Sequence, residues 1–475
     1  MRTGMRVIGG LFLLLLTTAC ARPEAQAAQA EAANGTRFTG ARLIVGDGTT
    51  IDNAAFIVQN GLIKEVGTAA DVRAPAGSRS VNLAGKTVMP ALVNAHSHLG
   101  WEGYTSWGSQ NMTRENLIDH LNRHAYYGVG TTAGTGSERE DIALQVQLEQ
   151  RLGLIEGARY VVVPGIGTPG GGPNPNFTDD RGWWGSAGGM HEVTSPEEAR
   201  KVVQVEAAKG VQNLKMWVDA RDERRGAKVK LSPEIYRAVL DEAQIRDIRV
   251  FTHATNLEDQ KMLIRAGARR LMHFGAIDDE WLALLKQRNV FLLAVNGTSS
   301  GAGIDPEYYK DPFFREHVSA AVIKRLSDPA NLPPGQQNPT PVNPTAAQQA
   351  QLQTARTFKR LVDEGIQITL SADAGFGPTG RLVGTFFGYY EHVQMENFVR
   401  LGMTPAQAIL ASTKRPAEAL GLADLVGTLT PGKSADFMVL DANPLDDIMN
   451  SRRISQVYLR GKELDRAGLR AAWTK

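Results

Sequence analysis

The stretch Val93-Asn94-Ala95-His96-Ser97-His98 ends a short apolar run with two histidines spaced i, i+2. On a strand, side chains two apart share a face, so both imidazoles reach one point just beyond the strand end. Neutral imidazole is the commonest side-chain ligand for zinc and similar ions. Alone, a His-x-His pair is equally a feature of ordinary loops. Four further ligand-type residues lie downstream, each closing or crossing a strand-like run. They are Lys215 in Asn-Leu-Lys-Met-Trp, His253 in Phe-Thr-His-Ala, His273 in Leu-Met-His-Phe-Gly and Asp373 in Ser-Ala-Asp-Ala-Gly. Nitrogen and oxygen donors at so many strand ends point to divalent-metal chemistry.

Positioning such a set requires strands whose ends meet. Strand-like runs fall at Thr87–Asn94, Gly130–Gly134, Tyr160–Val163, Asn213–Val218, Arg249–His253, Arg270–His273, Val290–Val295 and Gln367–Ala372. Helical stretches such as Pro196–Lys209, Pro233–Ala243 and Thr354–Glu364 alternate with them. Eight strands in βα alternation predict an α/β chain folded as a (β/α)8 TIM-like barrel, whose chemistry sits at the C-terminal strand ends. No G-x-G-x-x-G follows an early strand, which argues against a dinucleotide fold.

Both chain ends read as short strands. Ala41 to Val45, Ala55 to Val58, Leu62 to Val66 and Ser80 to Asn82 are punctuated by Asp47-Gly48 and Asn60-Gly61, and Asp436 to Asp441 and Ile454 to Leu459 read the same way. Neither half has the apolar surface to stand alone, so the two predict one shared β-sandwich. The expected division is 36–86 with 423–475 for the sandwich and 87–422 for the barrel.

Met1 to Ala19 has the positive n-region and short apolar core of an export signal. Thr17-Thr18-Ala19-Cys20 resembles a bacterial lipoprotein cleavage box, although Thr17 stands where that pattern prefers leucine. The expectation is a lipid anchor at Cys20, a tether over 20–35 and an envelope location on the periplasmic side of the outer membrane, with plain secretion to the periplasm as the alternative. Cys20 is the sole cysteine, so no intramolecular disulfide forms. Removing residues 1–19 takes two arginines from 52 basic residues and leaves 50 against 50 acidic ones, which argues against nucleic acid as a partner. No other apolar run is long enough for a membrane helix, and self-association is left open.

The quoted motifs, with Gly427-Thr428-Leu429-Thr430-Pro431-Gly432-Lys433-Ser434-Ala435-Asp436, resemble the amidohydrolase superfamily in its binuclear subtype with a carboxylated lysine. The likeness runs from Thr36 to the C-terminus. It is nearest the imidazolonepropionase-like and prolidase-like branch, which includes peptidases and ochratoxin-cleaving amidases. The resemblance implies two divalent ions, zinc first among them. His96, His98 and Asp373 would hold the more buried one and His253 and His273 the other, with Lys215 bridging as its CO2-derived carbamate. It also implies that hydroxide held at such a centre attacks an amide carbonyl, with Asp373 as general base and then acid.

The expected substrate is a small molecule or short peptide: an N-acyl amino acid or dipeptide with an apolar or aromatic residue. Cyclic amides, or esters and lactones, are the alternatives. Trp183 and Trp184, in the glycine-rich loop Gly165 to His191, offer a flat apolar cover, His191 closes that loop, and Arg381 could clamp a substrate carboxylate. His120 and His124, spaced i, i+4 without the H-E-x-x-H pattern, read as structural or surface residues. His317 and His392 receive no role, and Asp219 to Lys230 reads as a solvated loop.

Overall fold

The structure is a computed structural model that describes residues 35–104, 106, 108–169, 190–219, 230–293, 308–328, 344–375 and 386–474. Met1 to Ala19, Cys20, Trp183, Trp184 and Arg381 lie outside the described residues.

The N-terminal strands are β1 (Thr36–Ile44), β2 (Thr50–Gln59), β3 (Leu62–Thr68), β4 (Arg79–Asn82) and β5 (Thr87–Pro90). Asn60 and Gly61, at φ 52° and 75°, form the two-residue left-handed turn that joins β2 to β3. The barrel follows with β6 (Leu92–Ser97), β7 (Val129–Thr135), β8 (Arg159–Val163), β9 (Gly165–Gly167), β10 (Met190–Glu192), β11 (Asn213–Trp217), β12 (Arg249–His253), β13 (Arg270–Met272), β14 (Phe291–Leu293) and β15 (Gln367–Thr369). The chain then returns with β16 (Phe437–Leu440), β17 (Ile454–Leu459) and β18 (Lys462–Glu463).

Strands from both chain ends pair in one eight-stranded sheet, ordered β18-β17-β16-β5-β1-β2-β3 with β4 on β1. The sheet bends over itself, since Leu62 at its far end bridges Ser434 just before β16. Inside the bend, Phe38 stacks on Phe56 and Phe437 on Tyr458, at ring-centroid separations of 4.8 and 4.6 Å. The predicted strand Thr87–Asn94 is two elements. Thr87–Pro90 pairs with β16, and after the break at Ala91 the chain enters the barrel as β6. The boundary therefore falls four residues later than the sequence suggests, because both pieces are apolar and only pairing separates them.

Barrel strands β6-β7-β8 and β9-β11-β12-β13-β14-β15 pair in parallel. Pro164 interrupts β8 and β9, yet its carbonyl still accepts from Lys215 N at 2.8 Å. The ring closes where Asp373 N donates to His96 O at 2.9 Å and His98 N to Ala374 O at 2.7 Å. Helices alternate with the strands: α1 (Arg114–Tyr126), α2 (Glu140–Arg151), α3 (Pro196–Ala208), α4 (Pro233–Ile245), α5 (Leu257–Arg265), α6 (Asp279–Gln287), α7 (Pro344–Asp363) and α8 (Tyr389–Arg400). Among the described residues β8, β9 and β10 run on without a helix between them, and further short helices lie before α7 and after α8. The start of α3 is set locally: Ser195 accepts from Glu198 N, and Pro196 fills the first turn, where no N–H is needed. The predicted Thr354–Glu364 is only the second half of α7, whose first turns are too polar to show apolar periodicity. The terminal helix α9 (Arg466–Trp473) packs on α1, Trp473 Nε1 donating to Asp119 Oδ1 at 2.7 Å.

Candidate metal centre

His96 lies in β6 and His98 just past its end, while Asp373 follows β15. Asp373 Oδ1 is 3.2 Å from His96 Nε2 and 3.0 Å from His98 Nε2. The imidazoles continue as a chain. Ring centroids are 5.1 Å apart for His98–His96, 5.4 Å for His96–His273 and 4.5 Å for His273–His253. His273 and Asp373 have φ of 66° and 51°, left-handed values that cost a non-glycine residue on the order of 1–3 kcal/mol. Gly375, at φ 120°, lies so close to the strand opposite that a Cβ would overlap the His98 carbonyl.

Buried polar groups hold these side chains in place. The Asn94 Oδ1 accepts from His96 N and from Ala372 N, both at 3.1 Å, so one amide ties the two ligand-bearing segments together. Its Nδ2 donates to Glu391 Oε1 at 2.7 Å and to Ser97 Oγ at 2.8 Å. Glu391, on α8, is fully buried and lies 3.0 Å from His124 Nε2. A carboxylate can only accept from the amide, and this fixes which way Asn94 faces. His96 Nδ1 meets Ser371 Oγ at 3.0 Å. His253 Nε2 is 3.1 Å from Asp219 Oδ2, which also accepts from Thr255 Oγ1 at 2.9 Å. Asp219 thus supports a candidate ligand and is no part of a solvated loop.

Lys215 is 1% exposed, against Met272 Sδ and 5.3 Å from the Trp217 ring centroid. Burial lowers its pKa to about 7, against the opposing pull of Asp373 and Glu138. Glu138 is itself buried, accepting from Leu99 N at 2.7 Å and Ser137 N at 3.0 Å, and burial raises its pKa despite those bonds and nearby His98. Burial likewise pushes the His96 pKa well below its ordinary value; Asp373 opposes this, while Lys215, His98 and His273 reinforce it. For Asp373 burial acts upward, but His96, His98 and His273 outweigh it and hold the carboxyl well below the usual range. A neutral imidazole at His96 beside an ionised Asp373 gives the protonation states a divalent cation needs. Among the described residues His96 Nε2 and Asp373 Oδ1 are buried and make no hydrogen bond, so the donor set fits such an ion.

A second cluster has ligand types within the same reach: Glu140, His191 and Glu206. His191 Nε2 lies 3.2 Å from Glu140 Oε2 and 3.1 Å from Glu206 Oε1, on α2 and α3. The ring of His191, expected to contact substrate, lies between two carboxylates of the outer helices. Met190 and His191, predicted as the end of a loop, lie in β10, which pairs with β9. His120 and His124 are fully buried, as are His317 and His392. Of these, His124 joins the Glu391 network, and His120 Nδ1 accepts from Gly100 N at 3.0 Å.

Sequence reasoning missed Asn94, Asp219, Glu138 and Glu391. Asn94 had a usable signal, since it precedes His96 by two residues on the same strand. Glu391 had none, being 297 positions from its partner.

Known proteins share this architecture. A solved Xaa-Pro dipeptidase with bound methionine superposes with a TM-score of 0.65 at 19% identity, covering 90% of this chain and 99% of that one. An ochratoxinase of Aspergillus niger is 24% identical over 497 residues, covering 94% of this chain and 92% of that protein. An imidazolonepropionase of Deinococcus radiodurans is 23% identical over 441 residues, covering 88% and 94%. The profile of the Amidohydrolase family matches residues 87–464, from the last strand before the barrel to the far edge of the terminal sheet. The chain belongs to the Amidohydrolase family and is a metal-dependent hydrolase.

Proposed function

We propose that this enzyme hydrolyses the amide bond of N-acyl amino acids or dipeptides carrying an apolar or aromatic residue, at a pair of divalent ions. The observation that carries the reading is the convergence of His96, His98 and Asp373 with the His273–His253 ring pair beside buried Lys215. His96, His98 and Asp373 would hold one ion and His253 and His273 the other, with Lys215 between them as a carbamate. Zinc suits the donors, and manganese, cobalt or iron could use the same set. When bound, the ions supply acidity to water and polarise a carbonyl.

The chain's own groups do the rest. To form the carbamate, neutral Lys215 Nζ adds to the carbon of CO2 and loses a proton, and a pKa of about 7 leaves neutral amine available near pH 7. Asp373, ionised at the start, takes a proton from the attacking water and returns it to the departing nitrogen. Asn94 keeps Asp373 facing His96 by holding both backbones. Beyond the centre, Trp183 and Trp184 would cover an apolar side chain and Arg381 would meet a free carboxylate.

A relative named as a dipeptidase, with ochratoxinase, supports an acyclic amide. Likeness to imidazolonepropionase over most of both chains favours a second reading, opening of a cyclic amide. The deciding measurement is kcat/KM for an N-acyl-phenylalanine, its C-terminal amide and a panel of hydantoins and imidazolones. The N-acyl amino acid should be fastest. Equal rates for acid and amide would remove the carboxylate clamp, and faster ring opening would establish the second reading.

A further inference from the structure

A cavity of about 190 Å³ opens at the N-terminal ends of β8 and β11, the end of the barrel away from the histidines. Three arginines line it: Arg151 from the end of α2, Arg159 from the start of β8, and Arg460 from the turn between β17 and β18. Among the described residues their partners are few. Arg159 Nη2 reaches Ser434 Oγ at 3.4 Å and Asp436 Oδ2 at 3.5 Å, both at the limit of a useful contact. Arg460 Nη2 donates to Gly157 O at 3.1 Å, and Arg151 Nη2 to Gln147 Oε1 at 2.9 Å. Among the described residues, Arg159 Nε and Arg460 Nη1 are buried with no hydrogen-bond partner.

Among the described residues, the three arginines outnumber the acids that act on Arg460. Asp436 is the carboxylate beneath it, and its Oδ1 is already taken by Ser434 Oγ and Arg460 N. Glu156 adds a weaker pull on Arg460. Burial, with Arg159 beside it, lowers the Arg460 pKa despite both acids, which marks a crowded cation. Arg460 also sits at φ 53°, a left-handed value for a residue with a side chain. A guanidinium whose donors are buried without acceptors is costly, and its planar fork matches an oxyanion.

We propose that this cavity binds a small oxyanion of the phosphate type, which ties the terminal sheet to the barrel. Arg460 would hold it from the sheet side and Arg159 from the barrel side. Neither residue belongs to the metal centre, so the inference stands apart from the proposed chemistry.

The test uses the full chain loaded with metal, in phosphate or chloride at matched ionic strength. Because phosphate can also meet divalent ions, the reading is the difference between wild type and Arg460→Gln. Wild type should gain a saturable rise in Tm, on the order of a few degrees, that the variant loses. Titration calorimetry should show phosphate affinity falling roughly tenfold or more in Arg460→Gln, with kcat/KM in phosphate-free buffer unchanged. Should that variant fold poorly, Arg151→Gln on the rim gives the same comparison with a smaller affinity loss. A phosphate gain that is equal in wild type and variant, or no larger than that of chloride, overturns the proposal.

Discussion

Among the described residues, two clusters bring three histidine and carboxylate groups together within ligand reach, and their protonation sets them apart. At the barrel mouth one carboxylate, Asp373, is shared by two imidazoles, His96 and His98. On the outer helices the ratio is reversed: His191 lies between Glu140 and Glu206. Burial acts to lower both His96 and His191. At His96 it prevails, and the ring is neutral. At His191 the two carboxylates overcome it and raise the pKa to about 9, so the ring is a cation at neutral pH. Lys209 adds a second cation to the outer cluster, 2.7 Å from Glu206 Oε1. A protonated imidazole cannot ligate. The same residue types thus suit a metal ion in one place and form an ion-pair knot in the other, according to how many acids each histidine must serve.

The strongest way to break this contrast is to remove a donor from the inner group. His96→Ala and Lys215→Ala should each reduce kcat/KM by more than the roughly 100-fold that outer-shell changes typically cost. Bound metal, measured by plasma emission, should fall below that of the wild type while thermal melting still shows a folded barrel. In Lys215→Ala, added acetate should restore part of the activity by supplying the missing carboxylate. Full activity in exhaustively chelated wild type would erase the distinction between the two clusters.

A smaller change sharpens it from behind. Glu391→Gln keeps the shape of the side chain but lets Asn94 face either way, since a glutamine amide both donates and accepts. In the flipped state the Asn94 amine would face His96 N and Ala372 N, two donors. Metal affinity should weaken about 10–100-fold, with the loss recovered in kcat at saturating metal and KM little changed. An unaltered metal titration would show that Asn94 needs no help from α8.

Much of this candidate site was legible because its proposed ligands sit at strand ends, where apolar runs stop at a single polar residue. His253 closes β12 and His273 follows β13, and both runs are visible in the sequence alone. The outer support was not legible. Asp219 reaches His253 across 34 positions and Glu391 reaches Asn94 across 297, and no local pattern encodes such pairings. The fold divides in the same way. Asn60-Gly61 names its own turn, whereas the split at Ala91 is set by β16, some 350 positions later, pairing with Thr87–Pro90. The sequence suggested a surface or structural role for His124. It proved fully buried because its carboxylate partner arrives from α8.

The mildest perturbation belongs to the outer cluster. His191→Ala should leave kcat/KM and metal content unchanged and cost roughly 1–2 kcal/mol of stability, the scale of a charged hydrogen bond on a partly exposed side chain. The pH dependence follows from the two shifts. His191 is raised from 6.5 to about 9, so its contribution is complete below 6.5 and fades as pH rises through 9. Glu140, where burial acts upward but His191 and Lys209 prevail, is lowered from 4.5 to about 2, so its contribution is complete above 4.5 and fades as pH falls through 2. Both shifts describe one interaction and are not added. Denaturant melts of wild type and variant should therefore differ most between about pH 4.5 and 6.5 and converge above pH 9. A difference that is flat across that range would remove the ion pair. Loss of metal or turnover in His191→Ala would instead make the outer cluster a second centre, and the contrast between one acid per two histidines and two acids per one would no longer separate ligands from salt bridges.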